Sequence, residues 1–379
     1  MLHLVSFHGV SGVNSNLRLV AHKLKSRGWQ PQIYHYPPSN IGPRRFIENG
    51  IPVNRIPRLP AWLGSLQSRW VIARIKQAMR ESRVDLIHAH SFDADLLALK
   101  ACAGTSHPVV VTCQSYSYLD WARRYADHYR KWKGPLRVVV SVTRSMAEDL
   151  SRMPAFDGVA SEVIYNVPDG RFFNGTSAVG RAASREALGI GPEEVLITCT
   201  ATFHPIKGHV VLADAFAMLA TRTPHVKLAL IGDTNGRADH LEIKRQVEAS
   251  ITSAGCISRV RFVQGCRDAE PVLRATDIYV QPSFMEALSV ATAEAMAMQI
   301  PVVVSGVGGL REMVADGENG IHIEPGNVKQ LAEALHCLAA DPALRRRLGS
   351  SAGKFAAVNL SPDVAADRYA AVYERALQA

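Results

Sequence analysis

Residues 276–312 read TDIYVQPSFMEALSVATAEAMAMQIPVVVSGVGGLRE. The apolar run Asp277 to Val280 has the β-rich composition of a buried strand. Pro282 and Ser283 break it as turn residues do. An Ala-rich segment of good helix formers, Leu288 to Met298, predicts a helix. A second apolar run, Ile300 to Ser305, ends in the flexible loop Gly306-Val307-Gly308-Gly309. Strand, loop, helix, strand and glycine loop form a βαβ unit, whose crossover is right-handed in nearly all proteins. In such sheets ligands bind beyond the carboxyl ends of the strands. Glu286 falls in the first loop, and Glu294 eight residues later, about two helical turns on.

Two carboxylates at such a mouth can accept hydrogen bonds from the hydroxyls of a sugar or ribose. The helix start behind them offers free N–H groups and a positive dipole end, which suits a phosphate. Solvated surface charge is the plain alternative for any Glu pair. Here the flanks are apolar or small, so neither Glu lies on an evident charged face.

The same residues resemble the signature of the retaining, nucleotide-sugar-dependent glycosyltransferases of family 4 type. The match is carried by Pro282-Ser283, Glu286, Glu294, Ala295-Met296-Ala297, Pro301-Val302-Val303 and Gly308-Gly309-x-x-Glu312. Weaker echoes extend over nearly the whole chain. The resemblance implies an α/β protein of GT-B fold: two Rossmann-like, doubly wound parallel-sheet domains facing across a cleft. One departure is Gln299, where the family has Gly. If the turn there needs φ > 0, a side chain costs about 1 kcal/mol.

The 379 residues suit two domains, and 47% apolar content supplies two cores. The turn-rich stretch Gly170 to Gly180 is read as the connector. Residues 1–172 then form the first domain and 181–361 the second. A last helix, about 362–379, is expected to cross back onto the first domain, as the resemblance implies.

None of the six cysteines forms a CxxC pair, so buried thiols in a reducing compartment are expected. No apolar run reaches the ~18 residues of a spanning helix. MLHLVSFHGVSG reads as a strand with no basic lead, so a cytoplasmic protein is expected. Residues 1–170 hold 22 Lys and Arg against 12 Asp and Glu, while the remainder hold 21 against 22. The basic half suits a peripheral contact with the anionic inner face of a membrane, or a phosphate-linked acceptor. No zinc or RNA-binding signature supports a nucleic-acid partner.

Along the first half, Leu2 to Phe7 predicts a strand. A loop with Gly9 and Gly12 follows, then an amphipathic helix from about Leu17 to Arg27. Such a loop can approach phosphate closely, and the resemblance places Gly12 near the donor. Residues 37–65 are Pro-rich, with Arg44, Arg45, Arg55 and Arg58 beside Trp62 and Leu63. They read as a long surface loop, or alternatively as a membrane contact. Val84 to His90 is a strand that sends His88 and His90 to one side; they could bind metal, but no third ligand is evident. Pro108 to Cys113 is another strand. Many relatives have His next, near the reacting centre; this chain has Gln114, which can bond a hydroxyl but cannot act as acid or base. Trp121 to Lys133 reads as one helix with Trp121, Tyr125, Tyr129 and Trp132 on a stripe.

In the second half, Val195 to Ala201 predicts a strand, and Thr202 to Gly208, TFHPIKG, the loop after it. The resemblance gives Lys207 to the donor pyrophosphate. It also expects Arg where Thr202 stands, so one phosphate clamp is missing. His204 or an Arg of the first domain is the candidate replacement.

The resemblance therefore implies retaining sugar transfer from a nucleotide-sugar to a hydroxyl acceptor, whether glycan, lipid-linked or small molecule. Surface polysaccharide, lipopolysaccharide or glycolipid synthesis is the expected setting. Glu286 is the expected catalytic residue. Lys207, Glu294, Leu288, Ser289, Val290 and Gly12 are expected at the donor, and His90 and Gln114 at the acceptor. No metal or other cofactor is expected, because Lys207 and the helix start can neutralise the leaving group. The alternatives are a sugar-nucleotide epimerase of similar fold and a non-catalytic nucleotide-sugar-binding partner protein.

Overall fold

The structure is a computed structural model that describes residues 1–5, 12–35, 47, 49–57, 59, 66–175, 177–266 and 268–379. The glycine loop with Gly9, most of the Pro-rich stretch, and Arg44, Arg45, Arg58, Trp62 and Leu63 lie outside the described residues.

The chain divides into two compact units, residues 1–167 with 362–379, and residues 168–361. In the first unit seven strands are described: β1 (Leu2–Val5), β2 (Gln32–His35), β3 (Val53–Arg55), β4 (Ile87–Ala89), β5 (Val109–Cys113), β6 (Leu136–Ser141) and β7 (Ala160–Val163). They lie in the order β3-β2-β1-β4-β5-β6-β7, and every pairing is parallel. The second unit holds β8 (Val195–Thr200), β9 (Val226–Ile231), β10 (Val260–Val263), β11 (Ile278–Gln281), β12 (Val302–Ser305) and β13 (Ile321–Ile323). Their order is β10-β9-β8-β11-β12-β13, again all parallel. In both sheets the strand order reverses beside the first strand of the unit, between β1 and β4 and between β8 and β11. That is the switch point at which doubly wound sheets open a crevice for ligands.

Helices cover both sheets because parallel strands need long crossovers. Central strands such as β5, β11 and β12 are buried at every position, matching their unbroken apolar runs. The core of the second unit gathers Phe203, Phe216, Leu228, Ile278, Leu335 and Leu338 around its sheet. Each such side chain contributes roughly 1.5–3 kcal/mol when fully removed from water. In the first unit the last helix, Pro362–Gln378, lays Tyr369, Val372 and Tyr373 into the same core as Val110, Val138 and Ile164. Lys23 and Arg27 meet Asp363 and Asp367 at 2.6–3.3 Å along its rim. These pairs are exposed and add little beyond fixing register.

Several elements differ from their expected bounds. The first helix begins at Gly12 and ends at Lys25. The stretch Trp121 to Lys133 is not one helix: Tyr116–Arg124 and Ala126–Trp132 are separate, broken at Tyr125. The aromatic stripe splits accordingly, with Tyr129 fully buried and Trp121 44% exposed. Tyr118 and Tyr129 both donate to the buried Asp95, so that end of the stripe belongs to the core. The stretch read as a connector contains a 3₁₀ turn, Gly170–Asn174, and the start of the helix Ala178–Ala187, and it belongs to the second unit. Four cysteines are buried, but Cys337 is exposed.

The turn after the helix Val290–Ala297 does need a positive φ, and Gln299 supplies it at +60°. Gln299 N–H donates to Met296 O and Ile300 N–H to Ala295 O, the paired bonds of a left-handed helix end. The helix Pro342–Asn359 crosses this turn so closely that a Cβ on Gly349 would stand 2.1 Å from Gln299 O. Gln299→Gly should therefore raise stability by up to about 1 kcal/mol, read as a higher urea midpoint at constant slope. A lower midpoint would mean that the packing of the Gln stem outweighs its strain.

Candidate active site

At the switch point of the second sheet, two loops meet. The loop after β8 carries a single 3₁₀ turn, Pro205–Lys207, capped by His204. The loop after β11 runs Pro282 to Ser289 and leads into the helix Val290–Ala297. Phe284 N–H donates to Ile206 O at 2.8 Å, which ties the loops together. Gly208 lies against the second loop: a Cβ there would stand 2.0 Å from Pro282 O, and its φ is +72°. The pair Lys207-Gly208 thus has a packing reason as well as a chemical one.

Lys207 and Glu286, 79 residues apart in sequence, form an ion pair with Nζ donating to Oε2 at 2.6 Å. Their side chains are 22% and 10% exposed. Ser283 Oγ donates to the same carboxylate at 3.4 Å. Behind Ser283 a buried chain continues: Gln281 Nε2 donates to Ser283 Oγ, and Tyr279 Oη to Gln281 Oε1, each at 2.9 Å. Ser289 Oγ also donates to Gln281 Oε1, at 3.4 Å. Gln281 was not among the residues expected from sequence. The signal was present, since an amide sits in the otherwise apolar run that ends β11.

Ser289 caps the helix, its side chain accepting from Thr292 N–H at 3.2 Å. The helix starts at Val290, two residues later than expected, so Glu294 lies just over one turn inside it. Leu288 is buried beneath the loop. The predicted glycine loop after β12 is shorter than expected: Gly308 and Gly309 already open the helix Gly308–Met313, anchored by buried Leu310 and Met313. Gly309 N–H donates to the carbonyls of Ala287 and Glu286, so this helix start braces the Glu286 backbone.

Glu294 is mostly buried, and desolvation pushes its carboxyl up from 4.5 to about 7. Arg171 opposes that rise, while Asp268 and Asp169 add to it. Arg171 is itself held by Asp268 through two parallel bonds of 2.7 and 2.8 Å.

In the first unit, His90 and Gln114 are neighbours, Gln114 Nε2 lying 3.4 Å from His90 Nδ1. The other nitrogen of His90 lies 2.9 Å from His3 Nδ1. Here the structure corrects the sequence reading, in which no third histidine accompanied His88 and His90. His3 pairs in register with His88 across β1 and β4, which puts three imidazoles together. His88 commits both ring nitrogens, to Tyr373 Oη at 2.8 Å and Thr112 Oγ1 at 2.6 Å. Burial keeps all three rings neutral; His90 is lowered to about 3. Gly12 opens its helix, and the loop before it lies outside the described residues.

Two family models match this chain. Glycosyl transferases group 1 covers residues 180–355 and Glycosyltransferase Family 4 covers residues 10–169. The chain belongs to the group 1 glycosyltransferases. The transferase is 26% identical over 363 residues to a D-inositol 3-phosphate glycosyltransferase of Arthrobacter sp. strain FB24, covering 90% of this chain and 85% of the relative. It is 24% identical over 373 residues to a phosphatidyl-myo-inositol mannosyltransferase of Mycobacterium leprae, covering 97% and 94%. The crystal structure of Anabaena Alr3699/HepE in complex with UDP and glucose superposes with a TM-score of 0.83 at 22% identity, over 98% of both chains. That likeness gives the transferase its GT-B fold, two parallel-sheet α/β domains. Among the described residues, no helix is long and apolar enough to cross a membrane.

Proposed function

We propose that this glycosyltransferase moves a sugar, with retention, from a nucleotide-sugar to a hydroxyl acceptor in glycolipid or surface-polysaccharide synthesis. The observation that carries the reading is the Lys207–Glu286 pair at the switch point, beside the Ser289-capped helix. A cation with three donors, a carboxylate and a helix start meet within one crevice. In this reading the ion pair opens on binding. Lys207 and the first-turn amides near Ser289 and Val290 take the pyrophosphate. Glu286 accepts from the sugar hydroxyls and supports positive charge at the anomeric carbon. Glu294 accepts from the ribose hydroxyls, with Leu288 as the apolar floor of the loop and Gly12 on the donor side. His90 and Gln114 serve the acceptor.

The nucleotide and sugar held by the Anabaena neighbour support a nucleotide-sugar donor. The inositol-based names of the relatives support a polyol acceptor, free or lipid-linked, and do not favour an epimerase. The basic first half supports a peripheral contact with anionic lipid. Transfer without a metal follows if Lys207 and the helix start neutralise the leaving group. A donor screen read by mass shift, with inositol phosphates and phosphatidylinositol as acceptors and excess chelator present, tests all of this. Product should form with chelator; turnover that needs an added divalent metal would reject the charge scheme.

Glu294 gives the reading a pH signature. Its ionised form accepts ribose hydroxyls more strongly than the neutral acid does, so nucleotide affinity should rise as pH goes from 6 to 8, by less than about ten-fold per unit below the midpoint. Glu294→Gln should flatten that profile. The free protein should show the opposite trend. With a folded value near 7 against 4.5 unfolded, the stability due to the protonated carboxyl is fully present below pH 4.5 and is lost as pH rises through 7. Thermal melts of the native and Glu294→Gln proteins between pH 5 and 8 check this arm.

A further inference from the structure

The 3₁₀ turn that presents Lys207 presents a second group with it. His204 caps the turn and Lys207 ends it, so one short turn carries both groups. His204 Nδ1 accepts the backbone N–H of Ile206 at 3.2 Å. A backbone amide can only donate, so that bond fixes the tautomer: the ring hydrogen sits on Nε2. Among the described residues nothing accepts from that N–H. Burial and the neighbouring His240, Arg237 and Lys207 hold the ring below its usual titration range against the opposite pull of Asp239, so it is a neutral donor at pH 7.

His240 packs edge-on against His204, with ring centroids 5.2 Å apart. It is 4% exposed, and neither of its nitrogens has a hydrogen-bond partner. Asp239 lies close enough to complete a group of two imidazoles and a carboxylate. Such a group invites a metal reading, but Nδ1 of His204 is committed to Ile206 and the Asp239 carboxylate is already paired with Arg237. What remains at His204 is a hydrogen to give. That chemistry suits a hydrogen-bond acceptor, and the cation of Lys207 on the same turn favours an anionic one.

We propose that His204 Nε2–H is a second donor to the diphosphate of the bound nucleotide, acting beside Lys207 and in place of the arginine that Thr202 lacks. The proposal rests on the donor-site reading given above. The test is calorimetric. UDP, GDP and ADP are titrated into the native protein to find the tightest, and then its monophosphate and nucleoside are titrated. His204→Phe keeps an aromatic ring and removes the donor; His204→Gln keeps an N–H near the position of Nε2. The Phe variant also loses the acceptor that caps Ile206, so it should melt somewhat below the native protein. It should lose about ten-fold in diphosphate affinity, as loss of a bond to a charged group does. Nucleoside affinity should stay unchanged, and the Gln variant should recover most of the loss.

Diphosphate affinity within two-fold of native in the Phe variant overturns the proposal. So does an equal loss for the nucleoside, which would make the ring a structural prop. A visible cobalt(II) spectrum that vanishes in His204→Phe would assign the ring to a metal and overturn it as well. Lys207→Ala separates the two levels of inference. If it leaves diphosphate affinity intact, the donor-site reading fails; if it weakens affinity while His204→Phe does not, only the role of His204 fails.

Discussion

Glu286→Gln should slow sugar transfer about 10²–10³-fold while leaving nucleotide affinity within a few-fold of native. The factor is that of removing one preorganised charged group from a site where charge develops. Glu286 is 10% exposed and held by Lys207 at 2.6 Å and Ser283 at 3.4 Å. Its position is therefore fixed before substrate arrives, by groups that an amide can still bond. What the amide lacks is the negative charge. Its loss is felt mainly when the anomeric carbon turns positive, so kcat should fall and KM should change little. The variant also leaves Lys207 without its counter-charge, which can only help it hold a pyrophosphate. Single-turnover rates with the preferred donor, set beside nucleotide titrations, read both halves. Transfer at native speed would remove Glu286 from the chemistry.

Gly208→Ala should be strongly damaging to the second unit. The residue sits at φ +72°, where a side chain costs about 1 kcal/mol. A Cβ would also stand 2.0 Å from Pro282 O, and that neighbour is backbone, which no rotamer change can move aside. Relief requires the turn carrying Lys207 to part from the loop carrying Glu286. Overpacking of this kind typically costs 1–3 kcal/mol. The sum, about 2–4 kcal/mol, should appear as a lower urea midpoint. Nucleotide affinity should fall at least ten-fold because the Phe284–Ile206 and Lys207–Glu286 contacts share the strained seam. A native midpoint with native affinity would show that the loops slide freely, and the tight seam described here would then be wrong.

Much of this site was legible in the chain. The apolar runs of β8, β11 and β12 announced buried parallel strands, and Pro282-Ser283 announced the loop between β11 and its helix. The spacing of Glu286 and Glu294 around an Ala-rich helix was specific enough to carry a family resemblance. The Gln299 departure was legible too: the turn does require a positive φ, and the chain accepts the strain. Other features were hidden for definite reasons. His3 looked like any residue of a first strand until β1 lay against β4 and brought it to His88 and His90. His204 gained its meaning from a single bond to Ile206 that fixes one tautomer. The break at Tyr125 came from tertiary demand, because Tyr118 and Tyr129 must both reach the buried Asp95, against the helical pattern.

By itself, then, the sequence determined the alternation of strands and helices, the loops that carry charge, and the residue types available in each loop. These follow from local propensity and period, which act over a few residues. The strand order decided which of those loops meet. Lys207 and Glu286 stand 79 positions apart, and only the crossover that seats β11 beside β8 closes that gap to a hydrogen bond. Burial in the same unit raised Glu294 to about 7 by removing the water that would have kept it charged. Proximity and desolvation are properties of the folded sheet, and no spacing along the chain encodes them.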